Sequence, residues 1–159
     1  MSTNAALYEQ DFYAWTQQQA ALLRDQKAQA LDYANLAEEV ESLGKSQHRE
    51  LGSRLDVLVM HLLKWRYQPS EHSSSWRSTI RTQRRELRRL LQQNPSLRPL
   101  VASVIADGYG DARLEASDET GLPLATFPEA CPWTPAQVLE TEFWPEGETP
   151  SARRMGFKA

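Results

Sequence analysis

Arg77, Arg81, Arg84 and Arg88 recur four, three and four residues apart. At roughly 100° per residue, a helix carries all four within about 60° of one another. Arg85 and Arg89 widen this stripe on one side, and Trp76, Ile80, Leu87 and Leu91 form an apolar arc beside it on the other. A guanidinium at such an edge can lay its stem on apolar surface and present a planar fork of N–H donors outward. The chemistry this offers is anion binding, to nucleic-acid phosphates or to the acidic face of a protein. A competing use is internal. Glu38, Glu39 and Glu41 upstream, or Asp107, Asp111, Glu115 and Asp118 downstream, could neutralise the same arginines. The basic face has no interleaved aromatics for base stacking, and the chain has no helix-turn-helix signature. An acidic protein partner is therefore expected ahead of nucleic acid.

Glutamates and histidines in a helical chain also invite a metal centre. Di-iron bundles use Glu-x-x-His pairs, and none occurs here. His48 and His61 stand 13 residues apart, which on one helix is roughly 20 Å along the axis and over 200° around it. They cannot share an ion. Glu38, Glu41 and His61 are left as the candidates for a cryptic metal or small-molecule site. A lone histidine in an apolar helix is more commonly a hydrogen-bonded core residue, so no metal and no cofactor is expected. Cys131 has no histidine beside it in sequence and reads as a small buried residue. Glycine-rich phosphate loops, Gly-x-Ser-x-Gly elbows and Walker-type lysines are all missing from the sequence. With no complete catalytic constellation, the chain reads as a non-enzymatic binding or regulatory protein.

The elements that position these residues follow from the apolar periodicity. Leu51, Leu55, Leu58, Leu62 and Trp65 mark one helical face, and from Val57 to Leu63 only His61 interrupts apolar character all round the helix. Such a helix is surrounded by others, which places residues 51–65 at the centre. The series extends upstream in phase through Gln47, Leu43, Val40 and Leu36. It predicts one helix of about Tyr33–Tyr67, capped by Asp32 and continuous through Gly44. Tyr8, Phe12, Trp15, Gln19 and Leu22 predict a first helix over residues 7–24. Ser75 can cap a third over residues 76–93, the one that bears the arginines. Asn94-Pro95 is expected to start a fourth helix at once, ending near Thr120 with Gly121 in the left-handed region. After it, Pro123, Pro128, Pro132 and Pro135 punctuate Leu122, Leu124, Phe127, Trp133 and Phe143-Trp144. That segment is expected to drape over the helices and anchor by its apolar residues, with a short helix after Thr134. The fold class is all-α: about four main helices around a long central one, in a single domain over residues 1–145, followed by a disordered tail.

Composition agrees with a soluble globular chain: 159 residues, 40% hydrophobic and 25% charged. The longest apolar run is far short of the ~20 residues that span a bilayer. The single cysteine cannot form an internal disulfide, and the first residues do not read as a secretory signal. These features predict a cytoplasmic protein without a membrane partner, and they leave oligomeric state open. The net charge of −3 conceals segregation. Residues 1–63 carry nine acidic and five basic side chains, residues 64–98 two and nine, and residues 99–159 ten and four. A basic middle between acidic flanks suits either an anionic partner or internal neutralisation.

Several stretches are family-specific in wording. Tyr8-Glu9-Gln10-Asp11-Phe12-Tyr13-Ala14-Trp15, Asn35–Gly44 (NLAEEVESLG) and His61–Pro69 (HLLKWRYQP) are followed by Ser75-Trp76, Asn94-Pro95-Ser96-Leu97, Glu119–Pro123 (ETGLP), Cys131-Pro132-Trp133 and Phe143-Trp144-Pro145. Together they resemble the bacterial family described as "domain of unknown function 29", across nearly the whole chain. The resemblance implies a small, mostly helical bacterial protein. It implies no established activity and supplies no catalytic residues to carry over.

Overall fold

The computed structural model describes residues 3–146, and every regular element among them is helical. The six α-helices are α1 (Thr3–Gln10), α2 (Phe12–Arg24), α3 (Tyr33–Tyr67), α4 (Ser74–Gln93), α5 (Val101–Thr120) and α6 (Pro135–Leu139), with short 3₁₀ turns between them. None of the helices among the described residues is long and apolar enough to cross a membrane. The tail expected to be disordered lies, from residue 147 onward, outside the described residues. By its internal contacts the chain divides into two compact units, Met1–Gln47 and His48–Ala159.

In the first unit the expected single helix over residues 7–24 is two. Asp11 leaves helical geometry at φ −150°, and its carboxylate accepts the Ala14 amide, which caps α2 and separates it from α1. Trp15 and Gln19 are the buried residues of α2. The Gln19 side-chain oxygen accepts the Asp32 amide at 2.8 Å, and the Trp15 indole donates to the Asp32 carboxylate at 3.1 Å. The same carboxylate takes the Asn35 side-chain amide at 2.8 Å. That bond, foremost, holds the Asp32 pKa below the usual carboxylate value. Helix α3 starts at Tyr33, immediately after this hub, with the expected bounds and no break at Gly44. The apolar series does not bring burial to its first half. Val40 and Leu43 are each 66% exposed. Here α3 meets its neighbours at positions such as Glu39, which accepts the Tyr8 hydroxyl at 2.6 Å.

In the second unit the later half of α3 is the centre. Leu51, Leu55, Leu58, Leu62 and Leu63 are fully buried, and Val59, Met60 and Trp65 nearly so. Around them pack Ile80, Leu87, Leu90 and Leu91 of α4, Val101, Ile105, Tyr109, Ala112 and Ala116 of α5, and Phe127 and Val138 of the C-terminal segment. Each buried aliphatic or aromatic side chain of this size contributes roughly 1.5–3 kcal/mol. Gly108 lets α5 approach α3, since a methyl there would run into the Asp56 carboxylate.

Helix α4 starts two residues earlier than expected, at Ser74, with Ser73 as its cap in place of Ser75. The expected immediate start of the next helix at Pro95 is also corrected. Residues Pro95–Leu100 form a 3₁₀ turn, and α5 begins only at Val101. Pro99 explains this, because inside an α-helix its ring would clash one turn back and it has no N–H to donate. Gly121 ends α5 at φ 73°, in the left-handed region as expected. The segment beyond it anchors through Phe127 and Val138, with Leu122, Trp133 and Trp144 packed against the same core. Leu124, expected as an anchor, is 40% exposed.

Candidate functional site

The four arginines of the stripe do different things. Arg84 is 2% exposed, and its guanidinium donates to three backbone carbonyls of the C-terminal segment. Nε reaches Val138 at 2.9 Å, while the two terminal nitrogens reach Phe143 at 2.7 Å and Gln137 at 3.3 Å. Gln137 and Val138 lie in the last turn of α6, where carbonyls are short of intrahelical partners, and the Gln137 carbonyl also takes the Glu140 amide at 3.3 Å. The buried cation therefore ties off a helix end. Burial lowers the Arg84 pKa to about 10, against the opposing charge of Glu140, so it stays protonated at neutral pH. Arg88 is exposed and donates to the Thr141 hydroxyl. These two residues bind the chain's own C-terminal segment.

Arg77 and Arg81 are exposed, and among the described residues neither forms an ion pair or hydrogen bond. Each instead lies over an indole. The Arg77 guanidinium carbon is 5.7 Å from the Trp65 ring centre, and that of Arg81 is 6.0 Å from Trp144. The carboxylate pairing expected as the internal use of the stripe is thus not how these arginines are held. Arg85 and Arg89 do pair, both with Glu86 of their own helix, at 3.3 and 3.7 Å.

A cleft of about 490 Å³ opens beside Arg77 and Arg81. Its walls are Trp65 at the end of α3, Pro69 and His72 of the following turn, and Trp144, with the exposed carboxylate of Glu146 also lining it. The Trp65 and Trp144 rings meet at 4.8 Å. His72 stacks on Trp65 at 3.7 Å and 15°, and its Nε2 donates to the Trp65 carbonyl at 2.6 Å. Sequence reasoning placed Trp65 and Trp144 in the core and gave His72 to a polar loop. The signal for their meeting is slight: an aromatic in the last turn of α3 and another at the end of the draped segment.

None of the remaining candidates is among the residues that line this cleft. Glu38 and Glu41 are exposed residues of the first unit. In the second unit, His61 is half-buried, and its Nδ1 donates to the Val57 carbonyl at 2.8 Å, one turn back in α3. Desolvation lowers its pKa. Among the described residues no group of three or more His, Cys, Asp or Glu side chains is placed to hold a metal ion. Cys131 is half-buried, with its thiol toward the Trp133 carbonyl at 3.6 Å, and burial raises its pKa. One buried charge went unforeseen. Lys64, directly after the apolar run, reaches Glu119 at 2.5 Å and lies 4.6 Å over the Trp76 ring.

The family model "Domain of unknown function DUF29" matches residues 7–144. The chain belongs to this family. Comparison with curated proteins and with solved structures gave no match. The DUF29 match takes in both units and ends on Trp144, so Trp65, His72, Arg77, Arg81 and Arg84 all fall inside it. The family's description carries no activity, and none comes to this DUF29 chain through it.

Proposed function

We propose that this DUF29 protein is a non-enzymatic binding module that acts through an acidic protein partner, docked on the exposed face of α4. The observation that carries this reading is the state of Arg77 and Arg81. Two exposed guanidiniums one helical turn apart are held by cation–π contacts with their N–H edges uncommitted. A carboxylate can take such an edge in two parallel hydrogen bonds. Nucleic acid is the second reading. It is supported by fewer cations, because Arg84 and Arg88 are spent on the C-terminal segment and Arg85 and Arg89 on Glu86.

The test is quantitative affinity purification from the native host at low salt, with wild type beside an Arg77→Gln/Arg81→Gln double variant. The expected result is one stoichiometric acidic protein that the variant loses and that rising salt weakens. Recovery of the same partner by both chains, or of none, overturns the reading. Nucleic acid in the eluate, lost with the same two substitutions, would transfer it to the second.

A further inference from the structure

The Arg77–Arg81 cleft is more selective than a charged surface. A surface that only steers an acidic protein needs no depth, whereas this cleft has a volume of about 490 Å³, within the ~300–1,000 Å³ of sites for organic ligands. That is many times the space a bare phosphate or carboxylate fills. The cleft therefore has room for more than the oxyanion itself, and its walls bear on the shape of what enters. The exposed His72 and the half-buried Trp144 present the rings, and both rest on Trp65, which is nearly buried beneath them. Flat apolar walls match a planar ring.

The polar groups are ordered to suit. Each guanidinium lies over an indole, at 5.7 and 6.0 Å from the ring centre, and among the described residues neither donates a hydrogen bond, so the N–H groups of Arg77 and Arg81 are open to a ligand. His72 commits Nε2 to the Trp65 carbonyl, which leaves Nδ1 as its remaining polar atom. Glu146 is the one carboxylate among the described lining residues. It repels an anion, so the charged end of a ligand belongs against the arginines.

We propose that this cleft is a recognition pocket for an oxyanion borne on a planar ring, an aryl phosphate or aryl carboxylate. The proposal rests on the reading of α4 as the docking face for an acidic partner and names what the partner seats there. The same chemistry could also arrive as a free small molecule.

Phenyl phosphate titrated into the full chain, followed on the ¹H–¹⁵N signals of the tryptophan indoles, tests it. Trp65→Phe and Trp144→Phe variants assign the two signals. The expected result is saturable shifts of both, with affinity reduced about tenfold or more in Arg77→Gln/Arg81→Gln and increased in Glu146→Gln. Inorganic phosphate and benzyl alcohol, each lacking one half of the ligand, should bind more weakly than phenyl phosphate. No saturation by about 10 mM, far above a Kd of ~1 mM, overturns the pocket. Shifts that persist in the double arginine variant, or that benzyl alcohol reproduces equally, also overturn it. Both arginines are exposed, so the double variant should fold, and an unchanged thermal melt checks this. Two peptides separate the sources. If a polyglutamate peptide binds through Arg77 and Arg81 while phenyl phosphate fails, the ring-oxyanion pocket falls and the acidic-partner reading stands. If phenyl phosphate binds while an acidic phosphotyrosine peptide does not, the occupant is a free small molecule, and the partner reading falls instead.

Discussion

Arg84 shows how a helix stripe can divide its labour. On a helical wheel it lies about 20° from Leu91, nearer the apolar arc than Arg77, Arg88 or Arg81. It is the arginine drawn into the core. An apolar core accepts a guanidinium only when its N–H groups are satisfied, and the carbonyls of Gln137, Val138 and Phe143 do this. Hydrogen bonds to charged groups contribute roughly 1.5–3 kcal/mol each. Arg84→Ala, which takes a charged donor from three carbonyls and leaves Gln137 only the Glu140 amide, is therefore expected to destabilise the fold by about 3 kcal/mol or more. Arg77→Gln should stay within about 0.5 kcal/mol of wild type. Urea unfolding of the two variants decides this, and equal losses would contradict the division. Asp56 carries the opposite strain. Burial, with Asp111 and Glu115 adding to it, raises its pKa. The folded state then holds this proton more tightly than the unfolded chain. Its stability contribution is greatest below the ordinary carboxylate pKa and is lost as pH rises through the raised value. Asp56→Asn should raise Tm near neutral pH, with the gain closing toward about pH 3. A gain that is independent of pH would exclude this origin.

At the scale of the element, α3 is one helix with two surroundings. Its apolar series keeps phase from Leu36 to Trp65, yet Leu55 and Leu58 are fully buried while Val40 and Leu43 are mostly exposed. Periodicity reports which side chains share a face. It does not report whether another element covers that face. Replacing both Val40 and Leu43 with Gln should change unfolding free energy by no more than about 0.5 kcal/mol. Leu58→Ala should cost about 2–5 kcal/mol. Comparable losses for the two would mean that the first half of α3 is covered in solution. The start of α5 teaches a related point. Asn94-Pro95 is a sound helix-start signal, but Pro99 four residues on delays the α-helix to Val101.

At the scale of the whole molecule, the proline-punctuated segment is part of the second unit's core. It supplies Phe127 and Val138 to the interior and the acceptors for Arg84. Removing it uncovers the buried faces of α4 and α5 and leaves a buried cation unpartnered. Two fully buried side chains at ~1.5–3 kcal/mol each, added to the loss at Arg84, consume most of the ~5–15 kcal/mol by which domains are stable. A chain ending at Gly121 is expected to lose cooperative thermal unfolding and to bind a hydrophobic dye. A cooperative melt at the wild-type Tm would show that the segment is dispensable. The same segment brings Trp144 beside Arg81, so loss of the fold's closure and loss of the cleft should go together.

Local interactions write themselves into sequence, and those parts of this protein were legible there. The all-α class, the bounds of α3, the left-handed Gly121 and the draping of the C-terminal segment all follow from periodicity, capping and proline placement. The helix bounds and the Gly121 cap are decided within a few residues along the chain, and the draping was signalled by proline and apolar placement although distant contacts complete it. The family, too, was legible in the wording of the sequence. Tertiary structure alone decided the rest. It buried Arg84 while leaving Arg77 and Arg81 exposed, exposed Val40 and Leu43, and built a cleft from Trp65, His72 and Trp144. Those outcomes depend on contacts between residues separated by up to about eighty positions. A side chain's environment is a property of whatever packs against it, and no local pattern in the chain encodes that partner.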